Sequence, residues 1–232
     1  MILYDNLGYN NAIALDLPFR EGIGELTHDV AKPHHPITMV NTPTWEPLTS
    51  GLMTMGFDGA NEYLRAPNAD TLDMDFMAGD YSLGGWLYWE NGDDSQIVTG
   101  RYVIDVGGWE LYLYDTGILT LRQHHAGTVV AGHPRTSVYS VGWTMDNWFM
   151  YGISRTGATA AHYRNGLALP TLASVGGLVD AETCAGWFVL GVRFSLNDNY
   201  FKGQRWRPRV WPRALSAREW HAIYEREKAW FV

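Results

Sequence analysis

Two stretches of this chain, residues 53–89 and 186–224, limit the folds open to it more than any other feature. The first contains an apolar strand that runs into Phe-Asp-Gly at 57–59, a short second strand, and a longer apolar strand that begins at Tyr81. The second contains Phe-Lys-Gly at 201–203, followed directly by another strand. Short β-rich runs bounded by glycine turns are typical of antiparallel sheets. The chain is therefore predicted to consist mainly of β-strands.

Two hairpins are marked by their turn residues. Residues 109–114 and 118–122 alternate apolar and polar side chains and flank Asp-Thr-Gly at 115–117, where the glycine suits a positive φ. Asn165-Gly166 is the strongest short hairpin signal in the chain, because both residues adopt a positive φ easily. Alternation gives each of these strands one face toward a core and one toward solvent.

One segment has the pattern of a helix. Ser216 is a good N-cap, and Glu219 three residues later completes a capping box. Trp220, Ile223 and Tyr224 then recur at helical spacing and form one apolar stripe. We expect this C-terminal helix to pack against the outside of a β-sandwich.

The order of these segments resembles the laminin-G-like jelly rolls of the concanavalin A-like superfamily, from about residue 12 to about residue 227. The shared motifs are Phe-Asp-Gly before a Ser-x-x-x-Trp strand (Ser82 to Trp86), Trp148 before an apolar strand, Tyr-x-Asn-Gly at 163–166, and a closing Arg-Ala-Leu-Ser. The resemblance implies an all-β fold, a two-sheet antiparallel jelly-roll sandwich with one short C-terminal helix. With 232 residues and no recognisable linker, we expect a single domain over 1–232.

Composition narrows the possible partners. The formal net charge of −8 argues against nucleic-acid binding, which needs a basic surface. Hydrophobic residues make up 46% of the chain, which is enough for a large core, yet no run has the length of a membrane-spanning helix. Residues 193–228 carry nine Lys/Arg against four Asp/Glu. This asymmetry suggests docking between oppositely charged surfaces.

Cysteine usage and the N-terminus bear on localisation. Cys184 is the only cysteine, so no intrachain disulfide can form, whereas the resemblance implies one in secreted animal domains. Residues 1–10 lack the basic and apolar regions of a signal peptide. We therefore expect synthesis and folding in a reducing cytoplasm. Such a protein fits a component of a larger assembly, and bacteriophage virions use domains of this kind on capsid or tail surfaces.

Catalysis of the kind found in the glucanases of this superfamily requires paired carboxylates. Those enzymes carry Glu-x-Asp-x-Glu on one strand, which places the nucleophile and the acid on the same face. The nearest acidic alternation here, over 72–76, has two carboxylates in a predicted loop and lacks the third. We therefore expect no catalysis.

Calcium is possible but is not required by the sequence. Many laminin-G-like domains bind Ca²⁺ through carboxylates on loops at the rim of the sandwich, and Ca²⁺ prefers oxygen ligands. The resemblance places Asp29 at the family's early Asp. Two oxygen-rich turns add Asp93, Asp94 and Asp198 as candidate ligands. The strand 205–209, which often carries two further acids in the family, contains arginines instead.

Arg205, Arg207 and Arg209 are the main binding candidates. In a regular strand they project from one face about 6–7 Å apart and form a compact cationic stripe. The stripe either lies on a solvated outer face beneath the acidic helix or docks an acidic neighbour. That neighbour is a second copy of the chain or a different subunit, and we expect a homo-oligomer.

Aromatic and histidine side chains supply the other candidates. Most of the 11 Trp and 13 Tyr fill a core, and one to three of them are available as stacking platforms for sugar rings. We select Trp109 as such a platform, together with the pair His124 and His125 at the end of a strand.

Three functions are open at this point. The leading one is a non-enzymatic virion surface component, a capsid decoration or tail-associated protein that docks to protein partners and can contact glycans. The alternative is a soluble carbohydrate-binding, lectin-like module, with or without Ca²⁺. A glycan-cleaving enzyme is the third, and it requires two carboxylates about 5–10 Å apart in a cleft.

Overall fold

The computed structural model describes residues 7–90, 95–125, 135–137, 143–170 and 178–231. Within these ranges the elements are β1 (Leu15–Asp16), β2 (Thr38–Val40), β3 (Thr44–Pro47), β4 (Met53–Asp58), β5 (Tyr63–Ala66), β6 (Tyr81–Trp89), β7 (Ser95–Val103), β8 (Gly107–Tyr114), β9 (Leu119–His125), β10 (Arg135–Ser137), β11 (Trp148–Thr156), β12 (Thr159–Arg164), β13 (Leu167–Ala168), β14 (Phe188–Leu190), β15 (Lys202–Trp211) and α1 (Ala217–Glu227). Short 3₁₀ helices lie at Gly8–Asn10, Asn68–Asp70, Leu72–Met74 and Lys228–Trp230. The prediction of a β-rich chain with one C-terminal helix is confirmed.

The strands form two antiparallel sheets. In the described part of the chain, the first sheet has eight strands in the order β13-β12-β11-β6-β15-β4-β3, with β1 also paired to β15. The second sheet has seven strands in the order β10-β9-β8-β7-β14-β5-β2. Strands distant in sequence are neighbours in both sheets, as in β6–β15 and β7–β14. The predicted two-sheet jelly roll is confirmed.

The main core lies between the two sheets. Leu83 and Leu87 of β6 face inward from the first sheet, and Leu111, Leu113 and Phe188 face inward from the second. Each of these side chains is fully buried. Burial of an aliphatic or aromatic side chain of this size contributes about 1.5–3 kcal/mol, so this layer accounts for much of the stability of the sandwich.

Helix α1 covers the outer face of the first sheet. The hydroxyl of Ser216 accepts a hydrogen bond from the Glu219 backbone N–H, and the Glu219 carboxylate accepts one from the Ser216 N–H, which confirms the predicted capping box. Trp220 of the helix lies over Gly84 and Gly152, which are paired between β6 and β11. A Cβ atom on either glycine would come within 2.5–2.7 Å of the indole ring. The two glycines therefore make the space in which the helix packs.

The two hairpin turns form as predicted. Asn165 and Gly166 have φ angles of 51° and 74° and connect β12 to β13. Gly117, with φ 77°, lies in the turn between β8 and β9. Within the described ranges, no helix combines the length and the apolar character needed to cross a membrane.

A β-bulge interrupts β15. Trp206 pairs with Trp86 of β6, but the next paired residue is Arg209, opposite Gly84, so β15 carries one extra residue here. Arg207 has a φ of 50°, a conformation that is rare for a long side chain. Because side chains alternate along a strand, the extra residue moves Arg209 to the face opposite that of Arg205.

Candidate functional site

The candidate site lies on the outer face of the second sheet. On β8, Leu111 belongs to the core, and because neighbouring side chains alternate, Glu110, Tyr112 and Tyr114 lie on the outer face. Arg122 of β9 is paired in register with Glu110 and shares that face. Strand alternation alone thus brings two tyrosines, a carboxylate and a guanidinium together.

Arg122 is the centre of this arrangement. Its guanidinium carbon lies 4.8 Å from the ring centroid of Tyr102 and 5.1 Å from that of Tyr112. It also forms an ion pair with Glu110. Cation–π contacts of this kind contribute about 0.5–2 kcal/mol and fix the orientation of the rings. We call Tyr102, Tyr112, Tyr114 and Arg122 the tyrosine–arginine site.

A cavity of about 120 Å³ opens beside the tyrosine–arginine site. Tyr112, Tyr114 and Arg122 form one side of it, and Arg193 and Asn199 contribute to the other. This volume is smaller than a typical pocket for a whole small molecule. It suits one substituent of a larger ligand that extends across the sheet.

The loop before β15 forms the far wall of the cavity and is attached to β7. The Asn199 side-chain amide donates to the Ser95 carbonyl at 2.7 Å, and the Ile97 N–H donates to the Asn199 carbonyl at 3.0 Å. Arg193 lies 3.4 Å from the Asp198 carboxylate. These bonds hold the amide and guanidinium groups at fixed positions next to the tyrosines.

The buried hydroxyls of Tyr102 and Tyr112 are neutral at physiological pH. Burial raises the pKa of Tyr102, and burial together with the hydrogen bond to Tyr114 raises the pKa of Tyr112. The two hydroxyl oxygens of Tyr112 and Tyr114 are 3.4 Å apart. Neutral hydroxyls both donate and accept hydrogen bonds, so the site offers polar groups of both kinds beside the half-buried ring of Tyr114.

Two of the residues selected from sequence for ligand contact lie close to this site but are not in it. Trp109 is fully buried on the core face of β8, where its indole N–H donates to the Met74 carbonyl at 2.8 Å. Its selection as an exposed platform for a sugar ring is wrong, because it lies on the other side of the strand from Tyr112. His124 is buried on the outer face with its ring edge to face against Tyr102, at a centroid separation of 6.2 Å. The side chain of His125 lies outside the described residues.

The expected arginine stripe is also wrong. Arg205, Arg207 and Arg209 are all buried, and the bulge separates them. Arg205 lies between the sheets, where it donates to the Val98 carbonyl and, at 2.9 Å, to the Tyr151 hydroxyl. The other two arginines bond to carboxylates of the same chain.

Those carboxylates are Asp16 and Glu227. Arg207 donates to both Asp16 oxygens, with distances of 3.0–3.3 Å, and lies 3.1 Å from Glu227. Arg209 lies 2.8 Å from Glu227, and the Trp86 indole N–H donates to the same carboxylate at 2.9 Å. Of the two alternatives left open by the sequence, Arg207 and Arg209 follow the one in which they pack beneath the acidic helix, and β1 supplies the second carboxylate.

The two metal candidates that the structure describes, Asp29 and Asp198, do not belong to any cluster of potential metal ligands among the described residues. Asp29 is buried and accepts hydrogen bonds from the backbone N–H groups of Asp16, Ala31 and His35, so its oxygens are already occupied. Asp198 keeps an exposed carboxylate, and its role as a ligand stays a prediction. Asp93 and Asp94 lie outside the described residues. Across the ranges that the structure covers, no three His, Cys, Asp or Glu side chains converge as a metal site.

A buried histidine clamp was missed by the sequence analysis. The Nδ1 atom of His35 lies 2.7 Å from Asp29, and its Nε2 atom lies 2.9 Å from Asp73 on the opposite loop. Burial lowers the pKa of the ring, but the two hydrogen bonds outweigh this effect and raise the pKa of His35 to about 9. The charged ring therefore ties two loops together. His35 and Asp73 are 38 residues apart, and no local pattern predicts the contact.

Comparison with known proteins agrees with the two-sheet fold. Residues 58–219 match the laminin G family model that describes the concanavalin A-like lectin/glucanases superfamily. No curated protein sequence matches the chain significantly.

Solved structures with a similar fold include three toxin binding domains. The botulinum neurotoxin serotype G binding domain is 14% identical, with a TM-score of 0.69 over 93% of this chain and 51% of that one. The binding domain of Paraclostridial Mosquitocidal Protein 1 is 12% identical, with a TM-score of 0.70 over 94% and 52% of the two chains. The botulinum neurotoxin serotype D ligand binding domain in complex with N-acetylneuraminic acid is 12% identical, with a TM-score of 0.68 and the same coverage. At these identities the likeness is one of fold, and this chain spans about half the length of each of these structures.

Proposed function

Because the chain belongs to the concanavalin A-like lectin/glucanases superfamily, we propose that it is a non-enzymatic binding module that contacts glycans through the tyrosine–arginine site. This is the lectin-like function that the sequence left as an alternative. The virion-surface role that the sequence favoured is retained below as a second candidate.

The observation that carries the proposal is the position of Arg122 between two tyrosine rings beside an open cavity. Sugars carry several hydroxyl groups, so they fit a surface with fixed hydrogen-bond donors and acceptors. Tyr102 and Tyr112 are buried and hold Arg122 in place, while the half-buried Tyr114 is the ring of the site that a sugar can contact. Tyr114, Asn199 and Arg193 supply the polar groups at the cavity. A sugar at this site would need no large rearrangement of the sheet.

The absence of a catalytic pair at this site supports a binding role. Of the described residues, those lining the cavity include no carboxylate. Glu110 is adjacent but is held in an ion pair with Arg122. Glycoside hydrolysis needs two carboxyl groups that flank the scissile bond, one of them free to donate a proton. Calcium stays an optional component of the proposal.

The experiment is a glycan array probed with the labelled protein in the presence and absence of millimolar Ca²⁺. The variant Tyr114→Ala removes one wall of the cavity, while Arg218→Ala changes an exposed residue of α1 on the opposite side of the sandwich. We expect a defined set of glycans to bind the wild type and the Arg218 variant, and the Tyr114 variant to lose at least about tenfold in affinity. Equal binding by all three proteins would overturn the placement of the site.

A second candidate function is docking within an assembly, for example on a bacteriophage capsid or tail. It is favoured by exposed apolar side chains around a cavity of about 580 Å³ lined by residues 26–30 and 34–37. Leu26 is 65% exposed there, and the nearby Ile23 is 83% exposed. Exposed apolar clusters often mark protein contacts. Light scattering of the wild type and of the variant Leu26→Asp tests this candidate. If the apolar surface mediates self-association, the wild type forms an oligomer and the substitution dissociates it. A monomeric wild type would contradict self-association.

A further inference from the structure

A third cavity lies on the opposite side of the sandwich from the tyrosine–arginine site, where the end of α1 meets the bulge of β15. Its volume is about 430 Å³, which falls within the usual range for ligand pockets. The walls include Phe19, Arg20, Trp206, Arg226 and Trp230. Trp206 faces outward from the first sheet, so this helix-end cavity is separated from the tyrosine–arginine site by the full thickness of both sheets.

The charges at the helix-end cavity are not balanced. Glu227 and Arg207 also line it, but they belong to the buried network in which Asp16 and Glu227 neutralise Arg207 and Arg209. Arg20 and Arg226 are exposed, and within the described residues neither forms an ion pair. Two uncompensated guanidinium groups therefore border one cavity of a protein whose net charge is −8. Guanidinium groups bind carboxylate, sulfate and phosphate through paired N–H donors.

Aromatic side chains form part of the remaining walls. Trp206 is 6% exposed, and Trp230 is 46% exposed although it lies in an ordered turn after α1. The Ser50 hydroxyl donates to the Trp230 carbonyl at 2.8 Å and holds this turn in place. An exposed, positioned indole beside a cavity offers a flat surface to a ring-shaped ligand.

The strained backbone at the bulge is part of the same wall. Arg207 adopts a φ of 50°, and strain of this kind costs about 1–3 kcal/mol for a non-glycine residue. The conformation turns Arg207 toward Asp16 and Glu227 and so leaves the inner wall of the cavity electrically neutral. The positive potential consequently comes from Arg20 and Arg226 at the edge.

We propose that the helix-end cavity binds an acidic saccharide unit, with its anionic group at Arg20 and Arg226 and its ring against Trp230. This site is distinct from the tyrosine–arginine site in position and in the charge of its ligand. A result that contradicts ligand binding at one of the two sites therefore does not bear on the other site.

The test is an NMR titration that follows the tryptophan indole N–H signals of the isotope-labelled protein. The probes are D-glucuronate, D-glucose and sodium sulfate, each at millimolar concentration and constant ionic strength. Trp230→Phe assigns the Trp230 signal. Arg20→Gln and Arg226→Gln remove the proposed anion contacts, and Arg218→Gln is the matched control, an exposed arginine of the same helix that does not line the cavity.

We expect glucuronate to shift the Trp230 signal in the wild type and in the Arg218 variant. Each of the other two arginine substitutions should weaken this binding at least about tenfold, since each removes a charged hydrogen bond. Glucose that binds as well as glucuronate would overturn the role of the arginines. Sulfate that shifts the same signal with equal affinity would overturn the saccharide assignment and leave a simple anion site. No shift with any probe would overturn the proposal as a whole.

Discussion

Glu227→Gln is the substitution that most directly probes how the helix is attached to the sandwich. The Glu227 carboxylate is buried and accepts from Arg207 at 3.1 Å, Arg209 at 2.8 Å and Trp86 at 2.9 Å. Glutamine preserves the volume but removes the negative charge. It also places an NH₂ group against a guanidinium that needs an acceptor.

The size of the effect follows from burial. Removing one member of a buried ion pair typically costs about 3–5 kcal/mol, because the other charge is left without compensation. Arg209 is 1% exposed, and within the described residues Glu227 is the carboxylate that pairs with it. The remaining amide oxygen still accepts a hydrogen bond, so we expect a loss near the lower limit, about 3 kcal/mol. For a chain of this length that corresponds to a fall of about 6–12 °C in Tm.

Urea unfolding followed by tryptophan fluorescence measures this loss. Glu225→Gln is the matched control, since Glu225 is exposed and pairs with Lys228 at the surface. We expect the control to leave the unfolding midpoint unchanged. The double variant Arg209→Met with Glu227→Leu should recover part of the lost stability, because it removes both buried charges together.

The reasoning would be refuted by a Glu227 variant that unfolds at the same urea concentration as the Glu225 control. That result would mean that the buried network does not hold the helix to the sheet. A double variant less stable than the single Glu227 variant would contradict the argument about uncompensated charge.

Three further outcomes are expected. The pKa of His35 is about 9 in the folded state, above its unfolded value, so the charged ring contributes about 2 kcal/mol of stability, after allowance for solvent screening at the half-exposed Asp73. This contribution is complete below about pH 6.5 and is lost as the pH rises through about 9. The difference in unfolding free energy between the wild type and His35→Gln should therefore shrink over that interval, and a constant difference would contradict the clamp. Gly152→Ala should lower the free energy of unfolding by about 1–3 kcal/mol, since its Cβ would collide with the Trp220 ring; an unchanged denaturation midpoint would show that the helix can shift at no cost. Ser216→Ala should cost about 1 kcal/mol through loss of the helix cap, and an unaltered Tm would argue that the cap is redundant.

The parts of the fold that sequence predicted are those with local chemical signatures. The Asn165-Gly166 turn and the Ser216 capping box depend on the conformational preferences of one or two residues, and both form as expected. The two-sheet architecture was implied by the resemblance to laminin-G-like jelly rolls, whose motifs occur in this chain in the same order. These features require no knowledge of which distant strands become neighbours.

The orientation and the partners of the three arginines could not be predicted from the sequence. Alternation predicts one shared face for Arg205 and Arg209 only when the strand is regular, and the bulge is defined by pairing with β6, more than one hundred residues earlier. The partner of Arg207 on β1 is 191 residues away in sequence. No local pattern encodes either relation.

The residues of the candidate site were missed for a different reason. The alternating strand 109–114 was correctly predicted, but alternation does not say which of its two faces is buried. Trp109 was predicted to face the ligand, whereas the outer face carries Glu110, Tyr112 and Tyr114. The charge of Glu110 was the available signal, because a carboxylate rarely lies in a sandwich core without a partner. Its register partner Arg122 would then have completed the site.

The central claim is that ligand binds on the outer face of the second sheet, and an NMR titration with selectively labelled tyrosine rings tests it most directly. The titrant is the tightest-binding glycan from the array. We predict that the ring signals of Tyr102, Tyr112 and Tyr114 shift together and in proportion to occupancy, while that of Tyr163, which packs beneath the helix at Trp220, stays unchanged. Saturable binding that leaves all three tyrosines of the site unmoved would contradict the account.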